Sequence, residues 1–283
     1  MGKGAATIYA DGSAKIYMQN LPSSQCTTTA KTVYDNRDET PYRIQRLADG
    51  KCWMLDNLAL DLVANKNNLN ASNTNASNTT LSYLKNGGGS GQFTGTAIAY
   101  AGSKDTYNTP QVAVSGTCQD EYCVDNPSSG NWTSDAVTSP TISGFTSIAQ
   151  GKIGAYYNYC AASAGSYCYA SSSGTGDATE DICPAHWRLP TGGSSGEFNT
   201  LYATGYSSNG TNFQTALQTP LSGHFASGKA WFQGHFGYIW SSTRDNSNSN
   251  SMYILNVYPW DVYTSYSNIR NRGYSVRCIL SAS

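Results

Sequence analysis

Residues 237–280 read GYIWSSTRDNSNSNSMYILNVYPWDVYTSYSNIRNRGYSVRCIL and combine two regular ends with a polar, aromatic interior. The ends, 237–243 and 273–278, have the composition of scaffold segments, whereas Asn, Ser, Tyr and Trp fill the interior. Tyr and Trp supply rigid amphipathic contact area, and Ser and Asn supply adaptable hydrogen bonds. The interior therefore predicts a recognition surface. A polar β-rich terminus with ordinary Asn turns is the alternative interpretation of the same composition.

Two strands and a connecting turn are predicted inside this stretch. Residues 252–258 and 262–265 have strand-like composition, and Pro, Trp and Asp at 259–261 form the turn between them. Successive side chains of a strand point to opposite faces, so an inward Leu255 would direct Asn256 to solvent. We therefore expect the outward side chains of this stretch to form a surface rather than a core.

Composition limits the classes of partner and the location. The chain has 283 residues, of which 12% are charged, and a formal net charge of -1. No basic patch is evident, so we expect no nucleic-acid partner. No run of about 20 apolar residues is present to span a membrane. The start, Met1-Gly2-Lys3-Gly4, reads as a boundary from which a signal or anchor segment was removed, and we expect an extracellular or cell-surface protein.

Eight cysteines predict a disulfide framework and therefore an exported protein. No two of them have the C-x-x-C spacing that is typical of zinc sites, so no metal site is expected. Eight cysteines permit on the order of 100 pairings, and the spacings of two pairs suit small closed loops. The expected pairs are Cys26–Cys52, Cys118–Cys123, Cys160–Cys168 and Cys183–Cys278.

One ligand-binding domain is expected over residues 31–283, preceded by a leader or edge strand at 1–30. Residues 65–91 are rich in Asn, Ser, Thr and Gly, and they predict a surface insertion that is partly mobile. The recognition stretch occupies the C-terminal part of the domain, at about residues 240–278.

Local patterns predict the elements of this domain. Residues 32–55 predict a small strand meander with an Asp-Gly hairpin signal. Two short helices are predicted further along the chain. In the first, Phe198 and Leu201 fall on one face, and the second covers residues 211–217.

Five large or charged side chains are more typical of a protein interior than of a binding site. Trp53, Trp187 and Trp240 lie in regular segments and are predicted to belong to the core. Arg188 and Arg277 are predicted to pair with buried carboxylates or carbonyls.

Four ordered motifs occur together: DGKCWMLDNL at 49–58, CPAHWRLPT at 183–191, WSST at 240–243 and GYSVRC at 273–278. With these motifs the chain resembles the Fibrobacter succinogenes major paralogous domain, a bacterial relative of the C-type lectin and formylglycine-generating enzyme folds. It also resembles the variable proteins of diversity-generating retroelements, many of which use that domain. The resemblance covers roughly residues 31–280, excepting the insertion and the region after it.

The resemblance implies an α+β C-type lectin fold with small twisted antiparallel sheets, two short helices, long loops and disulfide staples. It also implies a variable region, at about 244–271, that presents ligand-binding residues on a solvent face. In such systems, adenine-directed mutagenesis of Asn-type codons yields Asn, Ser, Tyr, Asp, Thr, Arg and similar residues. The candidate ligand-binding residues are Arg244, Asp245, Asn246, Asn256, Tyr258, Trp260, Asp261, Tyr263, Tyr266, Asn268, Arg270 and Asn271. Trp260 cannot arise from an Asn codon by adenine changes alone, so we interpret it as an invariant contact residue or turn anchor.

Together these features predict a binding protein rather than an enzyme, without a cofactor, whose partner is a protein or glycan on another cell or a phage. A glycan-binding adhesin without diversification is one alternative. A cysteine-dependent oxidase of the formylglycine-generating type is another, and it would need a free thiol, for which Cys278 is the nearest candidate. The calcium-binding motifs of animal sugar-binding lectins are absent from the sequence, with only the fragment Trp260-Asp261 present.

Overall fold

The fold is α+β, with small and mostly antiparallel sheets and a few short helices, as the sequence predicts. The computed structural model describes residues 15–85, 94–95, 110–119, 131–134, 137–138, 151–168, 176–206, 209–248 and 250–281. The strands are β1 (Lys31–Tyr34), β2 (Pro41–Arg46), β3 (Cys52–Met54), β4 (Thr94–Gly95), β5 (Gln111–Ala113), β6 (Ser115–Cys118), β7 (Asn131–Thr133), β8 (Val137–Thr138), β9 (Gly151–Lys152), β10 (Tyr156–Tyr157), β11 (Trp187–Arg188), β12 (His224–Ala226), β13 (Lys229–Trp231), β14 (Gly237–Arg244), β15 (Ser251–Val257), β16 (Val262–Ile269) and β17 (Ile279–Leu280). The α-helices are α1 (Leu62–Asn65), α2 (Asn78–Lys85), α3 (Tyr159–Ala162), α4 (Glu197–Gly205) and α5 (Gly210–Leu217).

Strands from early and late parts of the chain meet in one five-stranded sheet, in the order β1-β2-β3-β17-β11. The predicted meander is confirmed, because β1, β2 and β3 pair antiparallel in succession. Strand β17 then pairs with β3 through Ile279 and Trp53, and with β11 through Ile279 and Arg188. The motif at 273–278 therefore leads into the strand beside β3, which lies within the first motif, and the motif at 183–191 supplies β11 on the far side of β17.

Two hydrophobic clusters contain side chains from opposite faces of the same strands. In β15, Met252 and Ile254 belong to the first cluster, whereas Leu255 and Val257 belong to the second. Strand β3 divides its side chains in the same way, because alternate residues of a strand point to opposite faces. The predicted helix pair is confirmed as α4 and α5, whose apolar side chains lie in the second cluster.

The three tryptophans predicted as core are confirmed. Trp53, Trp187 and Trp240 have no exposed surface. The indole N–H of Trp240 donates to the carbonyl of Tyr157 at 2.7 Å, and that of Trp187 donates to the carbonyl of Met18 at 3.0 Å. Each buried ring therefore keeps a partner for its polar group, as buried indoles usually do.

Both predicted arginine anchors are confirmed. The guanidinium of Arg188 forms a bidentate ion pair with Glu197, with N–O distances of 2.7 and 2.6 Å. Arg277 is fully buried, and its Nε donates to Asn57 Oδ1 at 2.6 Å while its Nη atoms donate to the carbonyls that end α5. Burial lowers the pKa of Arg277 to about 9. A cation at a helix C-terminus is favoured by the helix dipole.

Three of the predicted disulfides are present in the described part of the chain: Cys26–Cys52, Cys160–Cys168 and Cys183–Cys278. Cys118 is also disulfide-bonded, and its expected partner, Cys123, lies outside the described residues. The Cys183–Cys278 bridge joins the segment before β11 to the segment before β17. It therefore reinforces the strand pairing between these two elements.

The predicted surface insertion differs from the structure in its described part, residues 65–85. Leu81 and Leu84 of α2 are buried in the first hydrophobic cluster. Backbone hydrogen bonds also join Asn75 to the segment before β11. Leu81 and Leu84 are three residues apart, so they lie on the same face of the helix, and burial of that face attaches the segment to the core. The polar composition of the rest of the segment does not indicate this burial. Residues 86–91 lie outside the described residues.

The N-terminal segment, expected as a leader or edge strand, is described from residue 15 onward. It contains two 3-10 turns, Met18–Asn20 and Ser23–Gln25. Tyr17 forms a single parallel bridge with Tyr34 at the edge of β1. The first turn packs against the first hydrophobic cluster, so this segment contributes to the core. Among the helices of the described ranges, none is long and apolar enough to cross a membrane.

The carboxylate of Glu197 holds the start of α4 against the five-stranded sheet. Besides Arg188, it accepts hydrogen bonds from the Lys51 ammonium and from the Thr191 N–H, the latter at 3.0 Å. Burial raises the pKa of this carboxyl, but the hydrogen bonds more than offset that effect and lower the pKa to about 2. The ionised form is therefore the form that the folded state favours.

Replacement Glu197→Gln should lower the free energy of unfolding at neutral pH by about 1–2 kcal/mol, because the amide loses two partly exposed ion pairs. The folded-state pKa lies below the ordinary value of 4.5. The carboxylate therefore contributes its full stability above that pH and loses it as the pH falls toward 2. The difference between variant and wild type should shrink in acid, and urea unfolding at neutral and acidic pH measures it.

Glu39→Gln is the matched control, because Glu39 pairs with Lys15 at an exposed position. Its effect should stay within about 0.5 kcal/mol. Equal losses in the two variants at neutral pH would contradict the anchoring role of Glu197.

Removing the Cys183–Cys278 bridge should cost more stability than removing Cys160–Cys168. The first bridge links residues 95 apart in sequence, and the second links residues 8 apart. Because the entropic stabilisation grows with the logarithm of loop length, C183A/C278A should lose roughly 2 kcal/mol more than C160A/C168A. Denaturant unfolding of both double variants measures the difference, and a larger loss in C160A/C168A would refute it.

Candidate ligand-binding surface

The sheet β14-β15-β16 carries most of the predicted recognition stretch. Strand β15 is its centre and pairs antiparallel with β14 and β16, which confirms the two predicted strands. On one face of the sheet, Leu255 and Val262 pack with Phe198 and Phe213 in the second hydrophobic cluster. Helices α4 and α5 therefore support the sheet from one side.

The opposite face carries a row of three paired residues. Tyr238 of β14 lies opposite Asn256 of β15, and Asn256 lies opposite Tyr263 of β16. A bulge then shifts the register, so that Tyr266 lies opposite Ile254. The extra residue in β16 keeps Tyr263 and Tyr266 on the same face. Side chains directly opposite each other on one face lie within contact distance.

The turn between β15 and β16 presents Trp260 to solvent. The N–H of Tyr258 donates to the Asp261 carbonyl at 2.8 Å, and the Asp261 carboxylate accepts from the Val262 N–H at 2.8 Å. The predicted turn is thereby confirmed. A Cβ on Gly210, at the start of α5, would lie 2.6 Å from the Asp261 Cα, so the helix approaches the turn as closely as a glycine allows.

Six rings form what we call the aromatic surface: Phe236, Tyr238, Tyr258, Trp260, Tyr263 and Tyr266. The ring centroid of Tyr258 lies 4.8 Å from that of Phe236, 5.3 Å from that of Tyr263 and 5.8 Å from that of Trp260. Trp260, Tyr263 and Tyr266 are 59%, 50% and 48% exposed. The half-buried ring of Tyr258 thus lies beside both the exposed rings of Trp260 and Tyr263 and the half-buried ring of Phe236.

The twelve candidate residues fall into three groups by exposure. The exposed ones are Asn246, Trp260, Tyr263 and Tyr266, the half-buried ones are Arg244, Tyr258, Asp261 and Asn268, and the buried ones are Asp245, Asn256, Arg270 and Asn271. Eight candidates therefore reach solvent, and four do not.

The prediction that Asn256 points to solvent is wrong. Its side chain is only 2% exposed, and its Nδ2 donates to the Tyr258 hydroxyl at 3.4 Å. The cause is the central position of β15, whose side chains are covered on both faces. The cross-strand neighbours Tyr238 and Tyr263 flank this amide and shield it from water.

Asp245 is also buried rather than outward, because it orders the loop after β14. Its carboxylate accepts from the hydroxyls of Ser247 and Ser267, each at 2.6 Å, and from the Ser247 N–H at 2.9 Å. Burial raises the pKa of Asp245, but these hydrogen bonds more than offset that effect and lower it. The role of this side chain is structural.

Arg270 and Asn271 are the other two candidates that the structure places inside. After β16 the backbone turns into the interior, where the Arg270 N–H donates to the carbonyl of Asn250 and the Arg270 carbonyl accepts from the N–H of Tyr159. The Arg270 Nη1 donates to the carbonyl of Tyr167 at 3.0 Å. Strand alternation ends with the strand, so it does not predict the direction of these side chains.

Sequence reasoning missed Phe236 and Tyr238 as parts of the surface. Both lie in or beside the segment interpreted as scaffold, 237–243. The available signal is the density of rings in WFQGHFGYIW at 231–240. Phe232 extends the same cluster, because it is 40% exposed and its ring lies 5.4 Å from that of Phe236.

Beneath the aromatic surface lies a neutral histidine. The ring centroid of His224 is 5.6 Å from that of Tyr238 and 5.8 Å from that of Phe232. Burial and the charge of Arg272 lower the pKa of His224 to about 3. Burial also raises the pKa of the Tyr238 hydroxyl. These rings are uncharged near neutral pH, so they offer apolar area and hydroxyl hydrogen bonds rather than charge.

The described ranges contain no group of three or more His, Cys, Asp or Glu side chains that could hold a metal ion. Each cysteine in them is disulfide-bonded.

Comparisons of the chain with protein-family models, with curated proteins and with solved structures found no match. The resemblance carried by the four sequence motifs therefore stays a prediction.

Replacement Asn256→Asp should lower the free energy of unfolding by roughly 2 kcal/mol or more, because it would bury a carboxylate. Asn246→Asp makes the same chemical change at an exposed position and should stay within about 0.5 kcal/mol. Denaturant unfolding at neutral pH measures both. If the two variants were equally stable, the Asn256 side chain would have to be solvated in the folded protein.

Proposed function

We propose that this protein is a surface-displayed ligand-binding protein of the C-type lectin fold, whose variable region at about 244–271 supplies a changeable contact face. The observation that carries the proposal is the exposure of Trp260, Tyr263 and Tyr266 on β16 and its preceding turn, in a sheet whose other face packs against α4 and α5. Contiguous exposed apolar area on a soluble protein usually marks an interaction site. Large rings also dominate the binding energy of many interfaces.

The support beneath the rings suits repeated change of the residues above it. The sheet is held by α4 and α5 on one face, and the Cys183–Cys278 bridge secures the C-terminal segment that follows. A contact surface on strands is positioned more accurately than one on loops. Substitutions at exposed positions that bury nothing usually cost within about 0.5 kcal/mol, so the fold would persist while the contact chemistry varies.

The changeable positions in this proposal are the candidates that reach solvent, apart from Trp260. Asn246, Tyr263, Tyr266 and Asn268 are residue types that adenine changes in Asn-type codons produce, and each is exposed or half-buried. Trp260 is the invariant contact residue at the tip of the turn. The four buried candidates belong to the support and are left out of the face.

The proposed ligand is a protein or glycan on another cell or a virus, bound without a cofactor. Tyrosine and tryptophan rings can contact either class, because each ring combines an apolar body with a hydrogen-bonding group. The disulfides favour a location outside the cytosol, where such bonds persist. The protein would therefore act at the cell surface or outside the cell.

A glycan-binding adhesin with a fixed platform is the second candidate. Phe236 and Tyr238 favour it, because they belong to the aromatic surface but lie outside the variable region. A glycan array distinguishes the two functions. Selective binding that survives Tyr263→Ala and Tyr266→Ala but is lost in Phe236→Ala would favour the adhesin.

A display library randomised at Asn246, Tyr263 and Tyr266 should retain folding in most of its members, because these side chains are exposed. A matched library randomised at Asp245, Asn256 and Asn271 should lose folding in most members, because these side chains are buried. Resistance of the displayed proteins to protease measures folding. Unfolding of the first library to the same extent as the second would refute a changeable face.

Diversification itself has a separate genomic test. A reverse transcriptase gene near the coding sequence, with a copy of the 240–278 region that differs at adenines, would establish it. A coding region without such a template repeat would leave the adhesin as the better function.

A further inference from the structure

Two adjoining cavities lie at the end of the five-stranded sheet where β2 ends and β3 begins. Their volumes are about 160 Å³ and about 380 Å³. Ser23, Leu280 and Ser281 line both of them. The lining residues do not include any of the six rings of the aromatic surface, so the cavities form a separate region of the molecule.

Three cationic side chains line the smaller cavity: Arg46, Lys51 and Arg188. Lys51 and Arg188 share a single carboxylate, that of Glu197. The carboxylate of Asp49 also lies beside Lys51, because it accepts a hydrogen bond from the Lys51 backbone N–H at 3.0 Å. Even with Asp49 counted, cations outnumber carboxylates here, in a chain whose overall net charge is -1.

Arg46 is held in place without a carboxylate partner in the described part of the chain. Its Nε, Nη1 and Nη2 donate to the carbonyls of Cys26, Gly50 and Ser23 at 3.0, 2.5 and 2.7 Å. Carbonyl oxygens fix the orientation of a guanidinium but leave its formal charge uncompensated. The cavity therefore has a positive wall whose geometry is set before any ligand arrives.

Hydrogen-bond donors remain for a ligand. A guanidinium has five N–H groups and an ammonium has three. Arg46 uses three with the carbonyls, and Lys51 Nζ uses one with Glu197. Both side chains thus keep N–H groups that the described protein atoms do not use. Charge-assisted bonds from such groups to oxyanions are among the stronger hydrogen bonds in proteins.

We infer that the smaller cavity binds the oxyanion group of a small ligand, such as a phosphate or carboxylate, and that the uncharged remainder occupies the adjoining cavity. The larger cavity suits an uncharged group with both apolar and polar surface, because Leu21, Pro22 and Leu280 line it together with Asn20 and exposed His186. The volume of the larger cavity is more than twice that of the smaller cavity. The site does not depend on the aromatic surface or on the function proposed for it.

Isothermal titration calorimetry of the whole chain tests the site with inorganic phosphate, glucose 6-phosphate, glucuronate and uncharged glucose. Phosphate should bind, glucose should not, and at least one of the two sugar acids should bind more tightly than phosphate because it also fills the larger cavity. The tighter of the two identifies the oxyanion class. Lys51→Gln should weaken phosphate binding about tenfold, since it removes one charge-assisted contact.

Lys229→Gln is the matched control, because Lys229 is an exposed lysine of β13 that does not line either cavity. Its phosphate affinity should equal that of the wild type. Arg46→Gln should also weaken phosphate binding, and circular dichroism verifies that this variant is folded. If Arg46→Gln is unfolded, the comparison of Lys51→Gln with Lys229→Gln is the deciding test. Equal affinities in Lys51→Gln and Lys229→Gln, or no binding of any oxyanion, would overturn the inference.

Discussion

Strand β15 has to fill a hydrophobic cluster on each of its sides, and this constraint shapes the whole C-terminal half. Met252 and Ile254 enter one cluster, and Leu255 and Val257 enter the other. Because side chains alternate along a strand, the centre of β15 has no position left for solvent, and Asn256 is buried as well. The candidate positions that reach solvent therefore lie in β16, at the end of β14 and in the two turns that flank β15.

Much of the fold could be predicted from sequence because its signals act over short distances. The hairpins, the helix pair and the buried Trp240 follow from alternation, helical spacing and motif position. Burial within the recognition stretch could not be predicted in the same way. A single alternating strand does not reveal that a second layer covers its other face, as happens at Asn256, or that the chain turns inward, as happens at Arg270.

The aromatic surface combines rings of two origins in the sequence. Phe236 and Tyr238 precede the variable region, whereas Tyr263 and Tyr266 lie within it. If the first pair supplies a constant part of the contact area, changes in the second pair would alter selectivity more than total affinity. Such a division lets a binding site change its partner without losing its central contacts.

The neutral His224 has a consequence for acidic surroundings. Its pKa is about 3 in the folded protein, against an ordinary value of 6.5. Between these two values the unfolded chain takes up a proton that the folded chain does not, so acidification reduces the free energy of unfolding. The contacts of His224 in the folded state stay those of a neutral ring down to a pH near 3, so this loss of stability comes from protonation of the unfolded chain and not from a charge placed under the aromatic surface.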